Sequence, residues 1–567
     1  MDHPRFQLAT QLLGPLPIIN EFCDRLGLEQ LLEACLPHDD PRIKLPPATT
    51  IGIVVRNLVL GHQPVYALAE WAAPFDPALL SLGTDQAGLL NDDRAGRTLA
   101  RLFDADRASL LTRLALRAID RFNLDTSQLH NDSTSITFAG AYAEATGTTR
   151  GGKPTPVITY GHNKDHRPDL KQLVWILTVT ADGAVPINCR ITDGNTVDDT
   201  THIDTWDGLA AMLGRTDFLY VADCKLASRA NMDHIHQAGG RFVTVLPASR
   251  KEDRQFRDWI VDHTPGWAEA ARRPARRHTG PDDVWQTAPA PWPSAEGYRI
   301  VWVRSSSKTA HDAEARRDRI ARGIAALDDL NQRLAAPKTR IKTKVAAEAA
   351  AKAAVEQAGC ARWVSFEVTE RAEETFRQEK RGRPGNDTRY RKITRTHHRI
   401  TWTVAEDLVA CDAASDGCFP LISNDRNLGD AELLAAYKYQ PNLEKRHAQL
   451  KGDQLVAPML LHDPRPHRGA AVRPLHRAML IQALIEREVR NAMAAQDLEQ
   501  ISLHPQDRGC AAPTATRILE IFTPLARHHL LDQHGRVVQT FQPQLTPLQT
   551  QVLDLLNIST SAYTTPA

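Results

Sequence analysis

Apolar and polar positions alternate with a helical period over the first 125 residues. In FQLATQLLGPLPIINEFCDRLGLEQLLEACL and AGRTLARLFDADRASLLTRLALRAIDRF the apolar side chains return every three or four residues, which predicts an all-helical N-terminal domain, residues 1–125. From residue 126 the period shortens to that of strands. SQLHNDSTSITFAG, KQLVWILTVT and AVPINCRI read as three strands, and Asp182-Gly183 between the last two is a turn signal, so they fit an antiparallel meander. A helix-compatible stretch near 200–213 then leads into the apolar strand DFLYVADCKL, the helical ASRANMDHIHQAG and another strand, RFVTVLPA.

Three strands, helix, strand, helix, strand is the order of a ribonuclease-H-like α/β sheet, here over residues 126–250. The series is then interrupted. Between 251 and 425, Ile320, Ile324, Leu327, Leu330 and Leu334 form a helical seam, flanked by the strand-like runs GYRIVWVR, RWVSFEVT and RITWTVAEDL. This predicts a mixed α+β insertion domain, with DGCFPLISN returning the chain to the core. Residues 426–500 read as helical and complete the catalytic core, and 501–567 read as a helical C-terminal tail with no internal repeat.

Composition narrows the class. Of 567 residues, 42% are hydrophobic and 24% charged, which is globular rather than disordered, and the length calls for several domains or one with a large insertion. The start lacks a basic segment followed by an apolar one, and no apolar run approaches the roughly 20 residues that span a bilayer, so neither export nor membrane insertion is expected. The eight cysteines, Cys23, Cys35, Cys189, Cys224, Cys360, Cys411, Cys418 and Cys510, form no close CxxC pair. A zinc site or disulfide framework is therefore not expected, and reduced thiols in a cytoplasm are.

Three acidic positions stand out against apolar surroundings. Asp132 lies inside LHNDSTSITF, where burial strips a carboxylate of its hydration. Asp223 ends the apolar run FLYVA, at the carboxyl end of a sheet strand, where open α/β sheets place ligands; a turn former or helix N-cap is its structural alternative. Asp193, Asp198 and Asp199 sit in the polar loop ITDGNTVDDTT and read as capping and turn residues. In YKYQPNLEKRHAQLK, Pro441 suits the first turn of a helix, which puts Glu444 near its positive end and Lys451 two turns on along the same face. A surface ion-paired face is the alternative there. Carboxylates on rigid elements are what two Mg²⁺ ions need in phosphoryl transfer.

These blocks resemble the DDE transposases of bacterial insertion sequences, in the branch with a Tyr-x2-Arg-x3-Glu-x6-Lys signature. Tyr437, Glu444 and Lys451 match that spacing, whereas Gln440 stands at the Arg position. NDSTSITFAG and VADCKLAS are similar to the blocks around the first and second Asp of that family, and YGHNKDHRPDLKQ, residues 160–172, is similar to a stretch found in it. The resemblance implies a catalytic and metal-binding set of Asp132, Asp223 and Glu444, supported by Tyr437 and Lys451. It implies two Mg²⁺ ions, with Mn²⁺ as a substitute. It implies double-stranded DNA, element ends and target, as partner, and a homodimer on DNA. The 221 residues between Asp223 and Glu444 fit a branch with an insertion domain.

A net charge of +1 places any DNA-binding surface locally. In 160–172, Lys164, His166 and Arg167 are placed to reach phosphates; a His162/His166 zinc pair has no companion ligands. Residues 377–399 hold the densest basic cluster, including Arg377, Lys380, Arg381, Arg383, Arg389, Arg391 and Lys392, and its RGRPG resembles short minor-groove-binding motifs. A second cluster is Arg272, Arg273, Arg276, Arg277 and His278, and the helical N-terminal domain is a further candidate for binding DNA ends. The expectation is an enzyme that binds the terminal repeats of its element, cleaves there and joins the ends to target DNA. A stand-alone metal-dependent nuclease and a catalytically retired DNA-binding protein are the alternatives.

Overall fold

The computed structural model describes residues 6–36, 40, 42–60, 63–140, 142, 147, 149–150, 152–275, 280–452 and 472–565. The chain packs as two units, residues 1–244 with 435–567, and residues 245–434. The first opens with strand β1 (Gln7–Leu12) and helices α1 (Leu16–Leu26), α2 (Leu28–Cys35), α3 (Pro47–Leu60), α4 (Leu68–Ala72), α5 (Asp92–Asp104) and α6 (Arg107–Arg121). Local chemistry starts these helices: Asn91 caps α5 at the Arg94 amide and Asp106 caps α6 at the Ser109 amide. One feature departs from the all-helical expectation. Gln7–Leu12 is a strand, because Gly14-Pro15 cuts it off from α1 and six residues are too few to hold a helix unaided, whereas a partner strand supplies their main-chain hydrogen bonds.

The central sheet follows, with β2 (Gln128–Phe138), β3 (Thr149–Arg150), β4 (Lys153–Pro154), β5 (Lys171–Thr180), β6 (Pro186–Thr192), α7 (His202–Leu213), β7 (Leu219–Ala222), α8 (Arg229–Gln237) and β8 (Arg241–Val245). Strands β6, β5 and β2 run antiparallel in that order, and β7 and β8 continue the sheet parallel to β2. The predicted meander is present. Its β5–β6 reversal uses Gly183 at φ +83°, where an added Cβ would stand 2.9 Å from the Arg487 side chain, so both backbone and space call for glycine.

In the second unit, α9 (Lys251–Trp259) precedes β9 (Ala268–Arg273), β10 (Asp283–Pro289) and β11 (Arg299–Ser305). Then come α10 (Ser306–Ala335), α11 (Lys344–Ala358), β12 (Val364–Gln378), β13 (Tyr390–Val404), α12 (Glu406–Ala413) and β14 (Cys418–Ser423). The helical seam is real. Leu327, Leu330 and Leu334 of α10 are buried against Ala347, Ala351 and Val355 of α11 and against Val364, Val368 and Ile400 at the base of the β12–β13 hairpin. Arg316 of α10 reaches Asp416 through two hydrogen bonds of 2.8 and 2.6 Å, and both residues are buried.

Helix α13 (Asp430–Lys438) carries the chain back, and α14 (Gln440–Gly452) and α15 (Val472–Ala495) follow. From Ala478 to Ile485 every residue of α15 is at most 1% exposed, so the helix is a core element and not a surface amphipath. The remainder is β15 (Ile501–His504), β16 (Arg508–Cys510), α16 (Ala515–Glu520), β17 (Ala526–Leu531), β18 (Val537–Phe541), α17 (Pro547–Leu555) and α18 (Ser561–Thr564). The expectation of a helical tail is thus corrected. Strands β1, β17 and β18 form a sheet in that order, so ARHHLL, read as the end of a helix, is a strand whose partner lies at the other end of the sequence. All eight cysteines are unpaired, and no described helix is long and apolar enough to cross a membrane.

The Arg316–Asp416 pair gives the first testable outcome. Removing one member leaves an uncompensated buried charge, a loss of about 3–5 kcal/mol. Arg316→Ala is expected to lower the stability of this unit by that amount in denaturant unfolding, and Arg316→Met with Asp416→Leu is expected to recover most of it.

Candidate active site

Strand register places the first two carboxylates. Asn131 of β2 pairs with Ala222 of β7, so Asp132 and Asp223 are the next residues along two neighbouring parallel strands, whose backbones lie about 5 Å apart. Strand β7 ends at Ala222, and Asp223 starts a short turn by accepting a hydrogen bond from the Lys225 amide at 3.0 Å. The N-cap alternative for Asp223 therefore describes its local geometry, and the carboxylate stands at the sheet edge as well. Burial raises the proton affinity of Asp132, and the nearby Asp223 raises it further; against the lowering by Lys164 its carboxyl is still pushed up to about 6.

The cation that offsets this charge is Lys164. Its Nζ lies 3.3 Å from Asp132 Oδ1 and 3.1 Å from Asp198 Oδ2, and donates to the Ser133 carbonyl at 2.6 Å and the Ser133 hydroxyl at 2.8 Å. Burial favours loss of its proton, yet Asp132 and Asp198 outweigh this and hold the ammonium above its usual range. Lys164, read from the sequence as a phosphate contact, is placed among carboxylates, and Asp198, read as a turn residue, is one of them. No sequence signal joins the two, because loop 160–170 and the turn at 198 meet only in the folded chain. The same loop sends Asp165 to Lys451, which pairs with it at 2.5 Å. His166 and Arg167 are exposed, and Arg167 pairs with Asp169 at 2.8 Å.

Helix α14 is fastened to the sheet beside Asp132. Gln440 is buried; its Nε2 donates to the Asn131 carbonyl at 3.1 Å and its Oε1 lies 3.0 Å from His130 Nδ1. The residue that departs from the Tyr-Arg-Glu-Lys signature thus clamps the helix to the strand, one position before Asp132. Arg446 fixes the next turn, donating to the Ala184 and Gly183 carbonyls at 3.1 Å each and pairing with Glu486 at 2.9 Å. Gln440, Leu443, His447 and Leu450 form the buried face of α14, which leaves Glu444 exposed on its flank.

His447, missed in the sequence, is buried, with Nδ1 3.7 Å from Asp132 Oδ2. Burial, with Lys164 and Lys451 adding to it, pushes its imidazole down to about 3, so it is neutral at physiological pH. Its Nε2 has no hydrogen-bond partner among the described residues. His202 is buried on the other flank with Nδ1 3.1 Å from the Tyr220 hydroxyl; burial lowers its proton affinity, and Asp223 and Asp198 oppose that. The Tyr437 phenol is pushed up to about 12 by burial and then by the charges of Asp223, Cys224, Glu444 and Asp132. Among the described residues, however, no three His, Cys, Asp or Glu side chains stand close enough together to hold a metal ion.

The basic residues predicted to bind DNA separate by position. Arg377 and Arg391 face each other across the β12–β13 hairpin, Lys392 pairs with Glu374, and Lys380, Arg381, Arg383 and Arg389 are exposed at its tip. Of the second cluster, Arg272 is taken up by Glu269 and Asp282 and Arg273 by Asp283, and Arg276, Arg277 and His278 lie outside the described residues. Of the other acidic residues between Asp223 and Glu444 in sequence, Glu406 and Asp407 open α12 exposed to solvent, Asp425 is buried and accepts from the Asn427 amide, and Asp430 pairs with Arg299.

Residues 8–116 match the family described as Domain of unknown function (DUF4277). A search of curated proteins finds no match. Among solved structures the chain is similar to one described as the cryo-EM structure of a piggyBac transposase synaptic complex with hairpin DNA, at 8% identity and a TM-score of 0.35, covering 91% of this chain and 82% of that one. Neither match assigns a role to the carboxylates.

The raised Asp132 carboxyl has a consequence for stability. Its proton affinity is about 6 in the folded chain against an ordinary 3.8, so between those values the folded state holds more protons than the unfolded one. Its contribution to stability therefore falls as pH rises through that window and is unfavourable above it. Asp132→Asn is expected to melt at a higher temperature than the parent at pH 7.5, with the difference vanishing below pH 4; calorimetry across that range checks both ends.

Proposed function

We propose that the chain is a DNA transposase of the insertion-sequence type, which cleaves DNA at its element's ends and joins the freed 3′ ends to target DNA. The observation that carries this reading is the pair Asp132 and Asp223, in adjacent register on two neighbouring interior strands of the sheet, with Asp132 desolvated and raised further in proton affinity by its neighbour. A carboxylate held in that state is poised for a cation, and carboxylate oxygens suit a hard one such as Mg²⁺. The β6-β5-β2-β7-β8 order, three antiparallel strands and then two parallel ones, supports a ribonuclease-H-like core for this reading.

Asp132 and Asp223 would hold the metal, and Glu444 would complete the set from α14. Bound Mg²⁺, in two sites, would supply the charge that activates water and stabilises the leaving oxygen. The chain's own groups hold the site in order. Lys164 keeps Asp132 and Asp198 together, Gln440 fixes α14 against β2, and the Lys451–Asp165 pair ties the 160–170 loop to α14. Neutral His447 stands 3.7 Å from Asp132 without adding charge. Two copies on paired DNA ends would bring both ends to one target.

Asp132→Asn and Asp223→Asn are expected to abolish Mg²⁺-dependent cleavage while leaving DNA affinity nearly unchanged, because phosphate contacts and not metal ligands set affinity. Glu444→Gln is expected to eliminate joining of a precut end to a plasmid, and Glu406→Gln to act as the parent. Normal cleavage by either aspartate variant overturns the site. Hydrolysis by the parent protein without any joining makes it a nuclease instead.

A further inference from the structure

The β12–β13 hairpin pairs at every position from Val364↔Val404 to Gln378↔Tyr390, fifteen residues on each strand. At about 3.4 Å per residue it is a ribbon roughly 50 Å long. Residues directly opposite share a face, so the register divides the ribbon into two. One face carries Val364, Val368 and Ile400 and is buried at its base on α10 and α11. Toward the tip this face continues with Glu370, Glu374, Phe376 and Lys392, and Lys392 is matched within the ribbon by Glu374 at 2.5 Å.

The opposite face is different. The register places Arg371, Arg377, Arg391, Arg395 and Arg399 on it, all exposed, and among the described residues none of the five is ion-paired. Glu373 on this face is taken by His397 at 3.0 Å. Arg377 stands directly across from Arg391, an arrangement that costs stability in the free chain because like charges opposed across strands repel. An unmatched row of guanidinium groups, with one self-repelling pair, fits a long polyanion. A duplex carries one phosphate charge per about 1.7 Å of axis, and its major groove, about 12 Å wide, admits a two-stranded ribbon.

We propose that the arginine face of this ribbon, and not its perimeter or its tip alone, lies along duplex DNA. This rests on the reading of the chain as a DNA-acting enzyme and specifies where the duplex runs. Arg371, which lies outside the basic run visible in the sequence, belongs to the interface, and Lys392, which lies inside that run, does not.

The test measures duplex binding by the full chain as a function of salt. Each phosphate contact contributes about 0.9 to the log–log slope, so replacing all five arginines by Gln is expected to lower the slope by about 4 and to raise the melting temperature slightly as the Arg377–Arg391 repulsion is removed. Lys392→Gln is expected to leave the slope unchanged. A slope unaffected by the five-residue variant, or affected equally by Lys392→Gln, overturns the assignment, as does equal loss on a single strand and on a duplex of the same sequence. Cleavage and joining by the parent protein, measured alongside, separate the two readings: a face-dependent slope in a parent that neither cleaves nor joins DNA keeps the ribbon interface and removes the transposase.

Discussion

Asp132 and Asp198 approach one lysine where β2 and β7 run side by side, with Asp223 near, and a protein interior tolerates such charge only if something positive stands beside it. Lys164 is that charge. Its ammonium touches Asp132 and Asp198 and feels Asp223, and it is anchored by two hydrogen bonds to Ser133 of the same strand. Even so the compensation is incomplete, since Asp132 still binds its proton more tightly than an ordinary carboxyl. A site whose negative charge exceeds its built-in positive charge stores affinity for a further cation, at the expense of stability in its absence.

That arrangement depends on pieces far apart in sequence. Asn131 and Gln440 meet across 309 positions, and the Lys451–Asp165 pair spans 286. Each such contact closes a long loop, yet closure entropy grows only with the logarithm of length, so the second unit can be inserted between the two halves at little cost to the core. What must be exact is the clamp. A side-chain amide, with both donor and acceptor used and no net charge, fixes α14 to β2 without adding to an electrostatic field already dominated by carboxylates.

The sequence made the strands β5, β7 and β8 legible because burial on both faces leaves continuous apolar runs, β2 and β6 by their strand-like period around a turn signal, and the α10 seam because a helix repeats its pattern locally. It marked Asp132 and Asp223 by their contrast with those runs. Where a residue's role is set by a partner distant in sequence, the pattern was silent. Lys164 read as a phosphate contact, Asp198 as a turn aspartate, and Gln440 as the absence of an arginine. Strands β1 and β17 failed for the same reason: each is short and exposed on one side, and only their pairing across the whole chain makes either a strand.

Net charge carries little information in such a molecule, and the two basic regions show why. Lys164 is spent on two carboxylates and exposed Lys451 on one, and Arg316, Arg446 and Arg487 are paired within the fold. Counting them toward a DNA-binding surface would be an error. The arginines of the β12–β13 ribbon contribute the same charges to the same total of +1, but the register gathers five of them on one face, against two carboxylates there, Glu367 and Glu373. A strand's two-residue period can therefore separate charges that a linear count cancels, and the field available to a polyanion is set by that separation and not by the sum.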